Sequence, residues 1–458
     1  MGDRKTVLVQ LSHGMQARNF LYTSVLGTLI KSGVRIIVVA PEYKIDYYKR
    51  ILPPEGLVFE PMIPKHENWA TMRLKNVAIN LLWTETVHWW RETRWSDKKK
   101  TWHYWFEITT SFFGRFRVAR SCVRWLFSKV VNTDEYGIYF QKYKIDAVLL
   151  TDIYAMPDVF MYYAAKRSGV PTAGFVRSWD NVTSKGTCLI KPDYLLVHNE
   201  QVKDEAISYI GIKPEVIYVT GLPHFDYYHN YHPSVSRADL LQRLGLPANS
   251  RFILFANASG SYAPIVNEML EILDGAIVSG ALPSDLHIVF RFAPNHTLNS
   301  RFYRSDRIVF DQPGTHFTEG AVDDWEISHD DMLYMADCLT YASITLNFAS
   351  TMTIDAAALD RPVINIAFDG YKDKDTPHSL RKIYRVTHFQ SVLASGGTPL
   401  VKSPSELIEA INAYLEDESR DREGRERMAR EQCYRLDGKS GERTAGYILS
   451  FLKERCGS

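Results

Sequence analysis

The sequence predicts an α/β protein made of two Rossmann-like domains that face a cleft, with a helical insertion in the first domain. Short apolar runs of strand length alternate with longer amphipathic runs along both halves of the 458 residues. This alternation is typical of parallel sheets, because parallel strands need a crossover connection that is usually a helix. The two halves show the same series, and a polar connector that contains Pro233 separates them.

The first domain is expected over residues 1–232. It opens with a strand over Thr6–Gln10, a loop, a helix over Asn19–Ser32 and a buried strand over Arg35–Ala40, which is the order of a βαβ unit. After residue 130 the same alternation predicts these strands and helices: Ile145–Thr151, Asp158–Ser168, Thr172–Val176, Tyr194–His198, Glu200–Ile210 and Ile217–Thr220.

The second domain is expected over residues 233–435. Its predicted elements are Phe252–Ala256, Ile265–Ser279, His287–Phe292, Asp330–Ala336, Ile344–Asn347, Thr351–Leu359, Val363–Ile366, Pro404–Glu416 and Ser419–Gln432. The last segment, residues 436–458, contains an amphipathic helix over Ser440–Lys453 that could pack back on the first domain.

Composition argues against several classes of protein. The net charge is +1, so the chain as a whole offers no electrostatic reason to bind nucleic acid. Its five cysteines are scattered and never have C-x-x-C spacing, which argues against a disulfide framework or a zinc site and favours a reducing compartment. The sequence shows neither a signal peptide nor an apolar run of 18 residues, so a cytoplasmic location is expected.

Three motifs at predicted strand ends of the second domain could bind an anion. Ligands of open α/β sheets bind at the carboxyl ends of the strands, and free N–H groups at helix starts favour phosphate. The candidate residues are Ser259, Gly260, Arg291, Pro294, His296, Asn347, Ser350, Thr351 and Thr353. The alternatives are turn geometry for Ser259–Gly260, pairing of Arg291 with a carboxylate, and helix capping by Ser350.

The loop Arg177–Gly186 concentrates reactive side chains behind a predicted strand of the first domain. It contains Trp179, Asp180, Asn181, Thr183 and Lys185. A carboxylate at such a sheet edge could deprotonate a hydroxyl group, which makes Asp180 the candidate base. The alternative is a polar loop in which Asp180 pairs with Lys185.

The first strand-to-helix loop, which contains His13 and Gly14, is expected at the same sheet edge as the Asp180 loop. Both loops follow strands that should be parallel, and parallel strands end on one side of a sheet. His13 is therefore a second catalytic candidate.

The segment Trp69–Lys129 is aromatic and basic. It contains eight of the ten tryptophans, and its twelve Lys and Arg residues outnumber four acidic ones. Basic residues interleaved with aromatic ones suit helices that lie in the interface of an anionic membrane. The alternatives are a nucleic-acid surface, a dimer interface and an ordinary core with a solvated face. The insertion is expected over about 66–130.

The motifs together resemble the CDP-glycerol glycerophosphotransferases of teichoic acid synthesis and the related Kdo and sialic acid transferases of bacterial capsules, over residues 172–445. The Trp179–Gly186 loop is similar to the family's Trp-His-Gly-Thr loop with its following Lys and Gly. Gly221–Asp226 resembles the family's Gly-x-Pro-x-x-Asp turn, and Ala293–Pro294 resembles its His-Pro motif. Ala349–Ala356 resembles its Ser-Ser/Thr motif with the Asp-Ala helix that follows, and Asp437–Arg443 resembles its Asp-Gly-Lys-x-x-Glu-Arg tail.

This resemblance implies a GT-B fold that binds an acceptor on the first domain and a nucleotide-activated donor on the second. The donor would meet the anion-binding residues named above, without a metal or a further cofactor. Asp180 would act as the base of an inverting transfer. The acceptor or cleft residues would be Gly14, Trp179, Asn181, Thr183, Lys185 and His224.

Two departures from the family pattern decide the expected reaction. Asp180 replaces the His of the family's first loop, and Ala293 replaces the His of its His-Pro motif. Both favour a sugar donor over glycerophosphate. We therefore expect a glycosyltransferase of bacterial surface polysaccharide synthesis with a glycan or lipid-linked acceptor, peripheral on the inner face of the cytoplasmic membrane. The alternatives are a non-hydrolysing UDP-sugar epimerase, a polyol-phosphate transferase with a CDP-activated donor, and a non-catalytic binding module.

Overall fold

The computed structural model describes residues 4–52, 55–64, 67–98, 101–256, 262–294, 302–317, 325–372 and 376–456. It confirms the α/β class, because two parallel sheets of seven and six strands form its core, beside a small two-stranded ribbon. The chain divides into two compact units. One comprises residues 1–226, 317–319 and 439–458, and the other comprises residues 227–316 and 320–438.

The first unit contains the seven-stranded sheet, with strand order β3-β2-β1-β4-β5-β6-β7. These strands are β1 (Thr6–Gln10), β2 (Arg35–Ala40), β3 (Leu57–Pro61), β4 (Ala147–Leu150), β5 (Thr172–Phe175), β6 (Tyr194–Val197) and β7 (Ile217–Val219). The order reverses at β1, which pairs with both β2 and β4. Ligands of open parallel sheets bind beside such a reversal, at the carboxyl ends of the strands.

The second unit repeats this topology with the order β10-β9-β8-β13-β14-β15. Its strands, with the ribbon strands β11 and β12, are β8 (Arg251–Ala256), β9 (Leu286–Arg291), β10 (Ile308–Asp311), β11 (Thr315–His316), β12 (Trp325–Glu326), β13 (Ile344–Asn347), β14 (Val363–Ile366) and β15 (Leu400–Val401). Apolar clusters cover both faces of the sheet, so its central strands are continuous apolar runs.

Helices flank both sheets. The α-helices of the first unit are Gly14–Phe20, Ser24–Lys31, Glu42–Ile51, Trp69–Asn80, Glu85–Lys98, Thr101–Phe113, Arg117–Val130, Gly137–Lys142, Met156–Arg167, Asn181–Ser184, Glu200–Glu205 and Ser440–Cys456. Those of the second unit are Arg237–Arg243, Ala263–Val278, His329–Tyr341, Met352–Ala358, Leu380–Ile383, Gln390–Ala394, Pro404–Glu416 and Arg422–Cys433. Within the residues described, none of these helices is long and apolar enough to cross a membrane.

Two helices that were predicted as continuous α-helices are interrupted in the structure. The predicted Asn19–Ser32 helix is two helices, and the break lies at Thr23, whose hydroxyl donates to the Asn19 carbonyl at 2.9 Å. The predicted Glu200–Ile210 helix is α-helical only to Glu205 and continues as a π-helical turn over Ala206–Ile210. This turn ends the helix, because Gly211 follows it in the left-handed conformation with a φ of +75°.

The first compact unit runs to Asp226, six residues before the predicted boundary at residue 232, and the hydrogen-bond partners change there. The Asp226 carboxylate accepts from the Ser440 and Gly441 amides at 2.9 and 2.8 Å, which ties it to the last helix in the first unit. Tyr231 and Ser234, by contrast, donate to Asp337 in the second unit. The second boundary lies after residue 438 rather than 435.

Candidate functional site

The Asp180 turn lies at the carboxyl edge of the first sheet, directly after β5. Asp180 precedes the short helix Asn181–Ser184. Its two carboxylate oxygens accept from the hydroxyls of Ser178 and Ser184, at 2.5 and 2.9 Å. The carboxylate is half-buried, while Lys185 is exposed. Two hydroxyls from its own turn therefore orient the candidate base.

Residues from the predicted insertion, between β3 and β4, hold this turn in place. The Thr84 hydroxyl donates to the Thr183 carbonyl at 2.8 Å, and the Thr187 amide donates to the Ala78 carbonyl at 2.8 Å. The side chain of Trp179 is buried beside the turn. The insertion therefore supports the loop that carries Asp180.

Gly186 ends the loop at a place where no side chain fits. Its φ is +82°, and a Cβ there would lie 2.4 Å from the Cα of Ile79. We expect Gly186→Ala to lower the free energy of unfolding by about 1–2 kcal/mol through left-handed strain, and by a further ~1–3 kcal/mol through the clash. Denaturant unfolding measures this loss. Gly33→Ala is the matched control, because Gly33 has a φ of +81° with open space around its Cβ position. Equal losses in both variants would contradict the predicted clash.

His13 lies at the same sheet edge, at the start of the helix Gly14–Phe20. Arg177 donates to its Nε2 at 2.7 Å, and the Arg177 Nε lies 3.1 Å from the Asp152 carboxylate after β4. Burial, and then the charges of Arg177, Lys44 and Lys185, hold the pKa of His13 well below its usual range. His13 is therefore neutral, and the lone pair of its Nε2 accepts the hydrogen bond from Arg177.

Sequence reasoning missed two titratable residues beside the Asp180 turn. His198 follows β6 and is 1% exposed, and Glu205 ends the helix Glu200–Glu205. Burial lowers the pKa of His198 to about 4, and burial raises the pKa of Glu205 to about 7, in each case with Asp180 close enough to contribute. The only sequence signal for His198 is that it ends the predicted strand Tyr194–His198, and Glu205 has none beyond its place in the predicted helix Glu200–Ile210.

His224 is also buried in the first unit. Its Nδ1 lies 3.1 Å from the Asn19 Oδ1, and burial, then the charges of Arg18 and His198, hold its pKa well below its usual range. The structure therefore brings His224 to the same sheet edge as His198, as a neutral side chain.

The Asn347 turn lies at the equivalent edge of the second sheet, directly after β13. The Asn347 Oδ1 accepts from the Ser350 amide at 3.1 Å and the Thr353 hydroxyl at 3.2 Å, while Ala349 has a φ of +46°. The predicted helix cap is corrected by one residue, since Thr351 and not Ser350 precedes the helix. The Ser350 hydroxyl accepts from the Met352 amide at 3.3 Å, and Thr351 is exposed.

Arg291 ends β9 as predicted, but its guanidinium is buried. It forms an ion pair with Asp311 at the end of the neighbouring strand β10 and lies 5.5 Å from the ring centroid of Tyr334. Its side chain is 5% exposed. This arrangement favours the alternative reading, in which Arg291 pairs with a carboxylate.

The structure describes only one of the four remaining predicted donor residues. Pro294 is half-buried after β9, whereas Ser259, Gly260 and His296 lie outside the described residues. Asp355 accepts from the Tyr228 hydroxyl at 3.0 Å within the second unit, a structural contact.

Solved structures share the whole architecture at low sequence identity. A glycosyltransferase from Rickettsia africae is 12% identical, covers 100% of both chains and has a TM-score of 0.51. A UDP-GlcNAc 2-epimerase from Methanocaldococcus jannaschii, in complex with UDP-GlcNAc and UDP, is 13% identical, with 97% and 99% of the two chains covered and a TM-score of 0.51. A variant of the wall teichoic acid polymerase TagF is 12% identical, with 99% and 90% covered and a TM-score of 0.51. These likenesses confirm the GT-B fold.

Sequence comparison gives the family. No curated protein matches the chain significantly. The family model described as CDP-glycerol:poly(glycerophosphate) glycerophosphotransferase matches residues 176–450, more than half of the chain. The matched segment includes both the Asp180 turn and the Asn347 turn. The chain belongs to the CDP-glycerol:poly(glycerophosphate) glycerophosphotransferase family.

Proposed function

We propose that this member of a transferase family moves a sugar from a nucleotide-activated donor to a hydroxyl of a glycan or lipid-linked acceptor in bacterial surface polysaccharide synthesis. The observation that carries the proposal is the Asp180 carboxylate, oriented by two hydroxyls at the carboxyl edge of the first sheet. The family match across this turn and the Asn347 turn supports it.

The departures from the family pattern favour a sugar over glycerophosphate. Ala293 has no imidazole to meet a phosphate, and Asp180 stands in place of the family's His. The epimerase with bound UDP-GlcNAc and UDP has the same fold, so this fold accommodates a nucleotide sugar. The polyol-phosphate alternative would instead use a CDP-activated donor.

In the proposed step, Asp180 takes the proton of the acceptor hydroxyl. The hydroxyl oxygen then bonds to the anomeric carbon while the bond from that carbon to the donor phosphate oxygen breaks. The nucleotide phosphate leaves with the electron pair. In the second unit, the Ser350 and Thr351 hydroxyls are the candidates to bind the oxygens of this phosphate, while the buried Asn347 side chain holds their turn. Because Arg291 already pairs with Asp311, we assign it to holding β9 against β10 rather than to the donor.

A nucleotide panel tests the donor class. We expect one of UDP, CDP, CMP, GDP or TDP to raise the melting temperature, because a ligand that binds only the native state stabilises it. Stabilisation by UDP would support a nucleotide-sugar donor, and stabilisation by CDP alone would favour the polyol-phosphate alternative. A thermal-shift assay measures this. No shift with any nucleotide would contradict the proposed donor.

We also propose that the insertion binds an anionic membrane interface. Its four helices expose several large aromatic side chains on their surface, among them Trp69, Trp102, Trp105 and Trp125, which are 59–68% exposed. Some basic side chains stack on such rings, as Arg73 does on Trp69 and Lys129 on Trp125. Exposed aromatic and basic side chains together suit the headgroup region.

Vesicle flotation tests this surface. The protein should float with vesicles that contain anionic lipid at low salt, and less at high salt, because the attraction is screened. Replacing Trp102, Trp105 and Trp125 with Ala should abolish flotation, whereas Tyr371→Ala, at an equally exposed aromatic outside the insertion, should not. Absence of flotation at low salt would contradict membrane binding.

A further inference from the structure

Three buried polar side chains at the Asp180 turn and beside it have polar atoms without a hydrogen-bond partner in the described structure. Neither polar atom of the Asn181 amide and neither ring nitrogen of His198 has a partner in the described structure, and one Glu205 oxygen is likewise unpaired. Asn181 is 0% and His198 1% exposed. The other Glu205 oxygen accepts from the Gln201 amide at 2.9 Å.

The fold gathers these side chains on adjacent elements. Asn181 and His198 follow the neighbouring parallel strands β5 and β6. The short helix Asn181–Ser184 packs against Glu200–Glu205 and the π-helical turn behind it. Asp180 precedes Asn181 directly, and its charge acts on both His198 and Glu205, so the cluster lies next to the candidate base.

The energetics distinguish this cluster from an ordinary core. The large majority of buried side-chain polar atoms in proteins have a hydrogen-bond partner. Each one left unpaired destabilises the folded protein, because it gives up its hydrogen bonds to water and gains none in return. Five unpaired atoms on three neighbouring side chains are therefore expensive unless a bound molecule satisfies them, and such a trade of stability for binding is typical of functional sites.

We propose that Asn181, His198 and Glu205 form a subsite for the neutral, hydroxyl-bearing end of the acceptor. This inference rests on the proposed function, which supplies the identity of the acceptor, and it names the side chains that would bind that acceptor. The amide and the imidazole can each donate and accept, and Glu205 offers an acceptor oxygen. Hydroxyl groups, which also donate and accept, match this set.

The charge of the cluster argues against a phosphate ligand here. An imidazole with a pKa of about 4 is neutral at physiological pH, and the cluster contains no cation. A carboxyl group beside an incoming phosphate would repel it. The chemistry therefore fits a sugar or polyol hydroxyl, which would bring an acceptor oxygen close to Asp180.

Apolar replacement of these side chains separates a binding role from a structural one. Asn181→Leu and His198→Phe should leave the melting temperature of the unliganded protein unchanged or raise it, because no hydrogen bond is lost. The matched control is Asn80→Leu: Asn80 is buried, but it donates to the Asn76 carbonyl at 3.1 Å and accepts from Arg94 at 2.9 Å. That variant should melt several degrees lower.

Methyl N-acetylglucosaminide and glycerol, added in a thermal-shift assay, probe the subsite. Because polyols stabilise proteins generally, the measured quantity is the shift of the wild type minus that of each variant. We expect a positive difference for both variants, none with inorganic phosphate, and unchanged shifts with nucleotides. Equal probe shifts in all proteins, or loss of stability in Asn181→Leu like that in Asn80→Leu, would overturn the subsite. Absence of nucleotide shifts would instead refute the proposed function.

Discussion

Replacing Asp180 with asparagine should lower the rate of transfer by about 10²–10⁴-fold, the usual contribution of a general base. Asparagine keeps the size of the side chain and can still bond to Ser178 and Ser184, but it cannot take a proton. Nucleotide affinity should stay the same, since the donor is assigned to the second unit. Turnover and the thermal shift with nucleotide, measured on one preparation, test both statements.

The matched control is Asp204→Asn, an exposed aspartate on the neighbouring helix Glu200–Glu205. It should leave turnover unchanged. If Asp180→Asn turns over at the wild-type rate, the base role passes to another residue. Glu205 would be the first candidate, because burial raises its pKa to about 7, close to the pH at which a base must act.

Replacing Arg291 with alanine should lower the free energy of unfolding by about 3–5 kcal/mol, because Asp311 would be left as a buried charge without its partner. The pair is buried on both sides, with side-chain exposures of 5% and 12%. Denaturant unfolding measures the loss. The double variant Arg291→Leu/Asp311→Leu should recover much of it, since neither charge then remains buried.

Arg251→Ala provides the comparison on the neighbouring strand. Arg251 pairs with Asp285 at 2.7 and 2.8 Å, but both side chains are more than a third exposed, so we expect a loss of about 1 kcal/mol or less. If Arg291→Ala instead costs no more than Arg251→Ala and abolishes nucleotide binding, then Arg291 contacts the donor and its pairing with Asp311 is secondary.

The two sheets could be predicted because strands buried on both faces appear as continuous apolar runs, such as Arg35–Ala40 and Val363–Ile366. Among the edge strands, β7 was predicted as Ile217–Thr220, but β3 and β15 could not be. Leu57–Pro61 is half-exposed along most of its length, and Leu400–Val401 has only two residues, so neither produces a clear pattern. The sequence places the boundary between the units only approximately, because a polar connector does not show which unit its hydrogen bonds will join.

The sequence predicted only part of the candidate site, because some of its contacts depend on elements that the sequence did not show. The places of Asp180 and Asn347 follow from strand ends, since parallel strands end at one edge. The partner of Arg291 lies on β10, a strand that the sequence did not reveal, so the buried ion pair could not be foreseen. His198 and Glu205 were missed because their burial depends on the packing of the helix Asn181–Ser184, which no local pattern shows.

Acceptor dependence tests the central claim most directly, because epimerases share the fold. When UDP-GlcNAc is incubated with the protein alone, it should remain UDP-GlcNAc, without conversion to its 2-epimer. Adding a glycan or lipid-linked acceptor pool, with a donor chosen by the nucleotide panel, should release nucleotide in step with a new glycosidic bond. Conversion of UDP-GlcNAc to its 2-epimer without any acceptor would contradict the transferase account.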